Sequence, residues 1–272
     1  MTRLRVGIVA LVVMAIVAVV AAFQYSSAAS LGTGALDTIP LEVQTTASAP
    51  NIIIKDPFTN TGASAKNLSA SSPTIEGAGM AATTTGAPNW AATTGTSGWQ
   101  IDPGDWAKCG AAGFSAARIP WMTRSSVVQV SLPSVVASPT ASNTASGIFM
   151  LGDSGAATAV GARLVRNPNA GTSSDRWRFE LITLASSTAT VQSSVNLFSN
   201  STSNPTAPLT MKLTYSSGSP KTMTALLTDG GSGSWSLTLN PVPPGSLGGN
   251  YAGLLSFQAS ATQFDNFQAS MT

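Results

Sequence analysis

The chain has 272 residues, of which 13 are Lys or Arg and 11 are Asp or Glu, so its formal net charge is +2. It has no histidine and a single cysteine, Cys109. This composition excludes Ser-His-Asp and Cys-His catalysis, histidine-ligated or four-cysteine zinc sites, and an intrachain disulfide. A nearly neutral chain also lacks the basic footprint of a nucleic-acid-binding protein.

The N-terminal segment predicts export. Arg3 and Arg5 precede an apolar run at residues 6–23, which spans about 27 Å as a helix and so nearly matches a bilayer core. Small residues, including Ala28 and Ala29, follow this run. Residues 1–29 are therefore predicted to be either a cleaved signal peptide or a signal-anchor transmembrane helix with its N-terminus inside. Both alternatives place the remainder outside the cytoplasm, as a secreted or membrane-anchored cell-surface protein.

Residues 30–50 are rich in Ser, Ala, Thr and Gly and contain two prolines. This composition is typical of a flexible linker. From residue 51 to residue 272 the pattern changes, and we predict a single β domain for that part of the chain.

Alternation of apolar and polar side chains predicts the strands of this domain. In residues 176–183, Trp177, Phe179 and Leu181 alternate with charged side chains, which is typical of a strand with one wet face. Comparable patterns and apolar runs predict further strands at residues 52–54, 127–132, 147–151, 160–165, 189–197, 209–215, 222–228, 235–239, 251–258 and 262–270. Gly, Pro, Asn and Asp clusters separate them. The result is an all-β sandwich or barrel, with Cys109 as a small buried side chain.

The closest pair of acids in the β region is Asp102 and Asp105, in the sequence Asp-Pro-Gly-Asp-Trp. The residue types fit a tight turn, and they also offer two carboxylates to a ligand. Trp106 and Trp121 lie beside Gly and Pro turns, where an exposed ring can stack on a sugar. These four residues are the predicted ligand-binding set.

Other side chains have simpler interpretations. Alternation places Trp177 and Trp235 on inward faces, so we expect both in the core. Glu180 shares its strand with arginines, and we expect a solvated cross-strand or ion-pair partner on the wet face.

Four stretches resemble the concanavalin A-like lectin/glucanase superfamily, in its laminin-G-like jelly-roll modules of bacterial secreted and phage tail proteins. They are Asp-Pro-Phe-Thr at residues 56–59, Gly-Trp-Gln-Ile at residues 98–101, the Gly-Leu-Leu strand at residues 251–257, and Phe-Asp-Asn-Phe within residues 262–268. The resemblance implies a two-sheet antiparallel jelly-roll sandwich whose first and last strands lie side by side. It also implies a structural calcium ion as a candidate, held between Asp56 and Asp265. No other cofactor is predicted.

The glucanases of that superfamily carry Glu-x-Asp-x-x-Glu on one strand, with the outer carboxylates as nucleophile and general acid. This chain has three glutamates, Glu42, Glu76 and Glu180, and none has another acid within four residues. The sequence therefore predicts no catalytic residues. We expect a non-catalytic, exported module that binds carbohydrate or another ligand of a cell envelope. The alternatives are a self-assembling surface or virion component and a glycoside hydrolase with displaced carboxylates.

Overall fold

The structure is a computed structural model. It describes residues 52–71, 73–77, 80–83, 89–92, 98–110, 113–120, 126–134, 144–167, 176–200, 203–257 and 260–271. The predicted signal or anchor at residues 1–29, the linker at residues 30–50, and Trp121 lie outside this part of the chain. No helix among the described residues has the length and apolarity needed to cross a bilayer.

The described residues form eighteen β-strands. In chain order they are β1 (Ile52–Asp56), β2 (Lys66–Asn67), β3 (Thr74–Gly77), β4 (Met80–Thr83), β5 (Ala91–Ala92), β6 (Trp99–Asp102), β7 (Trp106–Cys109), β8 (Phe114–Pro120), β9 (Ser126–Leu132), β10 (Thr144–Gly152), β11 (Ala159–Arg166), β12 (Trp177–Ala185), β13 (Thr188–Asn196), β14 (Leu209–Ser216), β15 (Thr222–Thr228), β16 (Ser234–Leu239), β17 (Tyr251–Phe257) and β18 (Ser260–Met271). Short 3-10 turns lie at Leu68–Ala70 and Pro244–Ser246.

The strands form two antiparallel sheets. The eleven-stranded sheet has the order β16-β15-β14-β9-β18-β1-β3-β4, and β7 joins β18 to the small β2-β6-β7 extension. The seven-stranded sheet has the order β13-β12-β11-β10-β17-β8-β5. The predicted two-sheet sandwich is confirmed. So is the side-by-side placement of the first and last strands, since Ile52 pairs with Met271 and Asp56 with Phe267.

Alternation in the sequence places the core between the sheets. In β14, Leu209, Met211, Leu213 and Tyr215 are buried while the side chains between them are partly exposed. Trp177 is likewise buried in the core, as predicted, whereas Trp235 is partly buried and packs against the core. Cys109 is buried, also as predicted.

The strand β8 was not predicted, because its sequence is rich in Ala and Ser. Its small side chains allow β8 to pack closely against β17. A Cβ on Gly253 would lie 1.9 Å from the carbonyl oxygen of Ala117, so only glycine fits there. On the core side, Ser115 accepts a hydrogen bond from Trp99 Nε1 at 2.8 Å.

Candidate functional site

The outer face of the seven-stranded sheet carries a group of arginine and aromatic side chains. In each strand these alternate with residues of the main core, such as Ala117 in β8 and Leu254 in β17, and so point away from it. We call the group the arginine–aromatic face. It comprises Phe114, Arg118, Arg163, Arg178, Glu180, Tyr251 and Phe257.

Two guanidinium groups of this face lie over aromatic rings. The Cζ atom of Arg118 is 4.8 Å from the centroid of the Tyr251 ring, and that of Arg163 is 4.5 Å from the Phe257 centroid. The Phe114 ring packs against Phe257 with centroids 5.2 Å apart. Stacking on a ring restrains a long side chain, so each arginine presents its N–H groups in a defined orientation.

Glu180 holds two of the arginines in place. Its Oε2 accepts a hydrogen bond from Arg163 Nε at 2.7 Å, and its Oε1 accepts one from Arg178 Nε. The predicted ion pairing is confirmed, but the predicted solvation is wrong, because Glu180 is 0% exposed. The charge is tolerated there because both carboxylate oxygens are paired. Local sequence could not identify Arg163 as a partner of Glu180, because the two residues meet only through the pairing of β11 with β12.

The same outer face has an apolar centre. Phe149, Ile182 and Leu255 are fully buried there, in a second cluster that includes Ala156 from the loop between β10 and β11. The carboxylate of Asp153 organises this loop by accepting hydrogen bonds from three backbone N–H groups. The arginine–aromatic face is therefore built on a closely packed support rather than on mobile side chains.

The predicted acidic pair Asp102 and Asp105 lies in the tight turn between β6 and β7, which confirms the turn alternative. Asp105 N donates to the carbonyl of Asp102 at 3.1 Å. The Asp102 carboxylate contacts Lys108 Nζ at 2.6 Å and accepts a hydrogen bond from Trp106 Nε1 at 3.3 Å. Asp105 accepts one from the backbone N–H of Asn60 at 2.5 Å. Both acids thus have structural partners.

Trp106 is half-buried, and its ring lies over Gly104, where any Cβ would meet it at 2.0 Å. The structure brings Trp106 and Asp102 together, whereas Trp121 is outside the described residues. Ligand binding by these four residues stays a prediction.

Asp56, the first acid of the calcium candidate, is buried inside a network of protein donors. Its carboxylate accepts hydrogen bonds from Phe58 N at 2.7 Å, Trp90 Nε1 at 2.6 Å and Ser71 Oγ at 2.6 and 2.7 Å. Burial raises the pKa of Asp56 above its ordinary value, and these hydrogen bonds partly oppose that rise.

Asp265 is half-buried and accepts hydrogen bonds from Asn266 N and Asn266 Nδ2 at 2.7 and 2.8 Å. Burial raises the pKa of Asp265, and repulsion by Asp105 and Asp56 raises it further. Asp56 and Asp265 therefore do lie near each other. These side chains do not fit a calcium ion, which needs about six to eight oxygens, because protein donors occupy Asp56. Within the described ranges, no three acidic, His or Cys side chains form a metal-binding group.

Comparisons with known proteins give structural similarity alone. No family model matches the chain, and no curated protein matches it significantly. The winged bean acidic lectin complexed with methyl-alpha-D-galactose is 9% identical, with a TM-score of 0.44, and the match covers 68% of this chain and 92% of the lectin. The legume lectin-like domain from Entamoeba histolytica is 8% identical, with a TM-score of 0.41 and coverage of 66% and 88%. The GH43 protein BlXynB from Bacillus licheniformis is 10% identical, with a TM-score of 0.44 and coverage of 65% and 35%.

Proposed function

We propose that this chain is a non-catalytic carbohydrate-binding module whose binding surface is the arginine–aromatic face. The observation that carries the proposal is the pair of ring-stacked guanidiniums, Arg118 on Tyr251 and Arg163 on Phe257. The export predicted from residues 1–29 supports a place outside the cell, where envelope and host polysaccharides are found.

Sugars need both kinds of group that this face offers. Their C–H surfaces pack on aromatic rings, and their hydroxyls accept hydrogen bonds from fixed N–H donors. Tyr251 and Phe257 are half-buried, so part of each remains accessible. Arg163 and Arg178 contact Glu180 through their Nε atoms, and their side chains are 16% and 37% exposed. The ion pairs restrain the two guanidinium groups, whose planar forks can donate further hydrogen bonds.

The charges of this face favour an acidic glycan. It carries Arg118, Arg163 and Arg178 against the single carboxylate of Glu180. A glycan with uronate groups would therefore gain charge-assisted hydrogen bonds that a neutral glycan lacks.

The same residues support binding without hydrolysis. A retaining glycosidase needs two carboxyl groups about 5–5.5 Å apart, and an inverting one needs two about 6.5–9.5 Å apart. Glu180 is the one acid in the sequences of the seven strands of this sheet. Two arginines already occupy its oxygens.

The proposal predicts that the purified full-length chain binds polysaccharides through this face. In affinity electrophoresis through gels that contain neutral or uronate-bearing polysaccharides, we expect the gels with uronate groups to slow the migration of the protein. The substitution Arg118→Gln should weaken binding about tenfold, the cost of one charge-assisted hydrogen bond, and Tyr251→Ala should weaken it similarly. Lys221→Gln is the matched control, because it removes one positive charge from an exposed position in the loop between β14 and β15, which belong to the other sheet.

Equal retention of the wild type and the double variant Arg118→Gln/Tyr251→Ala would refute this surface as the site. A wild-type chain that no polysaccharide retains would refute the carbohydrate-binding function itself.

Self-association is a second candidate, favoured by one observation. Within the described residues β13 ends the seven-stranded sheet, and its nine residues include no charged side chain and no proline. Edge strands are usually protected by such residues. Val191 on β13 is 42% exposed, which is unusual for a large apolar side chain in this domain.

If β13 pairs with a second copy, light scattering after size exclusion should show a dimer whose population rises with concentration. Val191→Lys should then give a monomer, whereas Ser216→Lys, at an exposed strand end in the other sheet, should not. A wild-type chain that stays monomeric at the highest soluble concentration would exclude this function.

A further inference from the structure

A second surface, separate from the arginine–aromatic face, lies on the hairpin formed by β6 and β7. Residues on the inner side of this hairpin, such as Trp99 and Ile101, are buried in the core, and the residues that alternate with them are only partly buried. Strand β2 extends the hairpin, because Asn67 pairs with Gln100. We call the outer side of these three strands the hairpin face. Its side chains are Asn67, Gln100, Asp102, Trp106 and Lys108.

The register of the three strands brings these side chains into one patch. Asp102 pairs with Trp106 beside the turn. The next outward-facing pair is Gln100 with Lys108, and Asn67 continues this row on β2. Neighbouring strands are about 4.8 Å apart, and alternate residues of one strand are about 6.7 Å apart. The patch is therefore roughly 10 Å by 7 Å, which is the size of one or two sugar rings.

The indole of Trp106 is held in one orientation. Its six-membered ring packs on Gly104, where an added Cβ would lie 2.0 Å from the ring atom Cη2. Its Nε1 donates to Asp102 Oδ2 at 3.3 Å. Asp105 anchors the turn beneath the ring by accepting a hydrogen bond from Asn60 N. Trp106 stays partly exposed, so the ring surface away from Gly104 is accessible and preorganised.

The polar groups beside this ring offer both donors and acceptors to hydroxyls. The Asp102 carboxylate uses Oδ2 for both Trp106 Nε1 and Lys108 Nζ, which leaves Oδ1 as an acceptor. The Lys108 side chain is 38% exposed, and its ammonium group has three protons to donate. The amides of Gln100 and Asn67 each provide a carbonyl and an NH2 group. Asn67 does not use its side chain to cap the 3-10 turn that follows.

The charges of the hairpin face differ from those of the arginine–aromatic face. Asp102 and Lys108 neutralise one another at 2.6 Å, and the neighbouring Asp105 adds a negative charge. An acidic glycan therefore gains no net attraction here. A neutral sugar needs only a ring platform for its C–H surface and partners for its hydroxyls, and the hairpin face has both.

We infer that the hairpin face is a second carbohydrate-binding site, specific for neutral pyranose sugars. Trp106 is its stacking platform, and Asp102, Gln100 and Asn67 bind the hydroxyls. The site uses none of the side chains of the arginine–aromatic face and takes a different class of ligand. It therefore does not rest on the function proposed above, and either site can be lost without the other.

Affinity electrophoresis of the purified full-length chain through gels that contain dextran, galactomannan or hydroxyethylcellulose tests this site. These polysaccharides carry no charge, so slower migration reports contacts with sugar rings and hydroxyls. We expect at least one of them to slow the wild type. Trp106→Ala should weaken that interaction about tenfold, because it removes the stacking platform. Gln100→Ala should weaken it severalfold, the effect of one neutral hydrogen bond.

Gly104→Ala tests the position of the ring without changing any group that contacts the sugar. Its Cβ would displace the indole, so binding should fall as in Trp106→Ala. The matched control is Gly245→Ala, at an exposed glycine where a Cβ meets nothing within 4 Å, and it should bind like the wild type. Circular dichroism and thermal melting establish that each variant is folded. If Trp106→Ala does not fold, Gly104→Ala and Gln100→Ala provide the test.

The double variant Arg118→Gln/Tyr251→Ala separates the two sites, because it should leave the slowing by neutral gels unchanged. Its loss of that slowing would assign neutral glycans to the arginine–aromatic face and overturn the inference. Wild-type migration that none of the three neutral polysaccharides slows would also overturn it. So would equal slowing of the wild type and the folded Trp106→Ala and Gly104→Ala variants.

Discussion

Replacing Asp56 by alanine is expected to destabilise the domain by about 3 kcal/mol. The substitution leaves the N–H groups of Phe58 and Trp90 and the hydroxyl of Ser71 without their buried acceptor. Each buried donor without a partner costs about 1–3 kcal/mol. The substitution also removes the cost of burying the carboxylate itself, and this offsets part of the total loss of stability. Urea unfolding at neutral pH, followed by tryptophan fluorescence, measures the difference in the free energy of unfolding.

Glu76→Ala is the control for this experiment. Glu76 lies on β3 and makes a 2.5 Å ion pair with Lys55, but both side chains are about one-third exposed. Exposed ion pairs contribute about 0–1 kcal/mol, so this variant should stay close to the wild type. A loss for Asp56→Ala no larger than that for Glu76→Ala would contradict the central role assigned to the buried network.

The pH dependence of Asp56 has a defined sign. Because its pKa is raised in the folded state, its contribution to stability is fully present below the unfolded pKa of about 3.9 and is lost as pH rises through the folded value. The variant Asp56→Asn cannot titrate. As pH falls from 7 towards 4, the wild type should therefore gain stability relative to Asp56→Asn. A constant difference across that range would mean that burial does not perturb Asp56.

The second large effect is expected at Glu180, where stability and binding change together. Glu180→Ala should cost roughly 3–5 kcal/mol, because it leaves Arg163 and Arg178 beside a fully buried site without their carboxylate. Denaturant unfolding measures this loss. If the protein folds, polysaccharide binding should also fall, because Glu180 orients two of the three arginines of the binding face.

Glu180→Gln distinguishes the role of Glu180 in orienting the arginines from its role in stabilising the fold. It preserves the volume and one hydrogen-bond acceptor, so we expect a smaller loss of stability but still a clear loss of affinity for acidic glycans. Arg178→Gln, which removes the more exposed of the two partners, is the matched variant on the same strand. Unchanged glycan affinity in Glu180→Gln would show that Glu180 has a structural role alone.

Most of the longer strands of this domain were predictable, because the alternation of apolar and polar side chains that indicates a strand lies within the strand's own sequence. Alternation with a period of two identified residues 209–215 and 222–228, and these match β14 and β15 almost to the residue. Strands β2 to β8 were not predicted. The small side chains of β8 carry little hydrophobic contrast, so its existence depends on packing against β17.

The candidate sites were not predictable in the same way. The sequence predicted that Glu180 faces away from the core as a cross-strand or ion-pair partner. It did not show that β11 would bring Arg163 to the opposite side, and this second arginine is what allows Glu180 to be buried. Asp102 and Asp105 lie in the predicted turn, and only the contact of Asp102 with Trp106 is local, since the Asp105 carboxylate accepts its hydrogen bond from distant Asn60.

By itself, then, the sequence determined the all-β class, the alternation of inner and outer side chains, and the scarcity of reactive groups, since each depends on neighbouring residues or on composition. Tertiary structure alone decided which distant side chains meet. Strand pairing and loop closure bring together Asp56 and Trp90, Arg118 and Tyr251, and Trp177 and Asn204, each pair distant in the sequence. The physical reason is that a strand's period specifies which face a side chain occupies, whereas its neighbours on that face depend on long-range register.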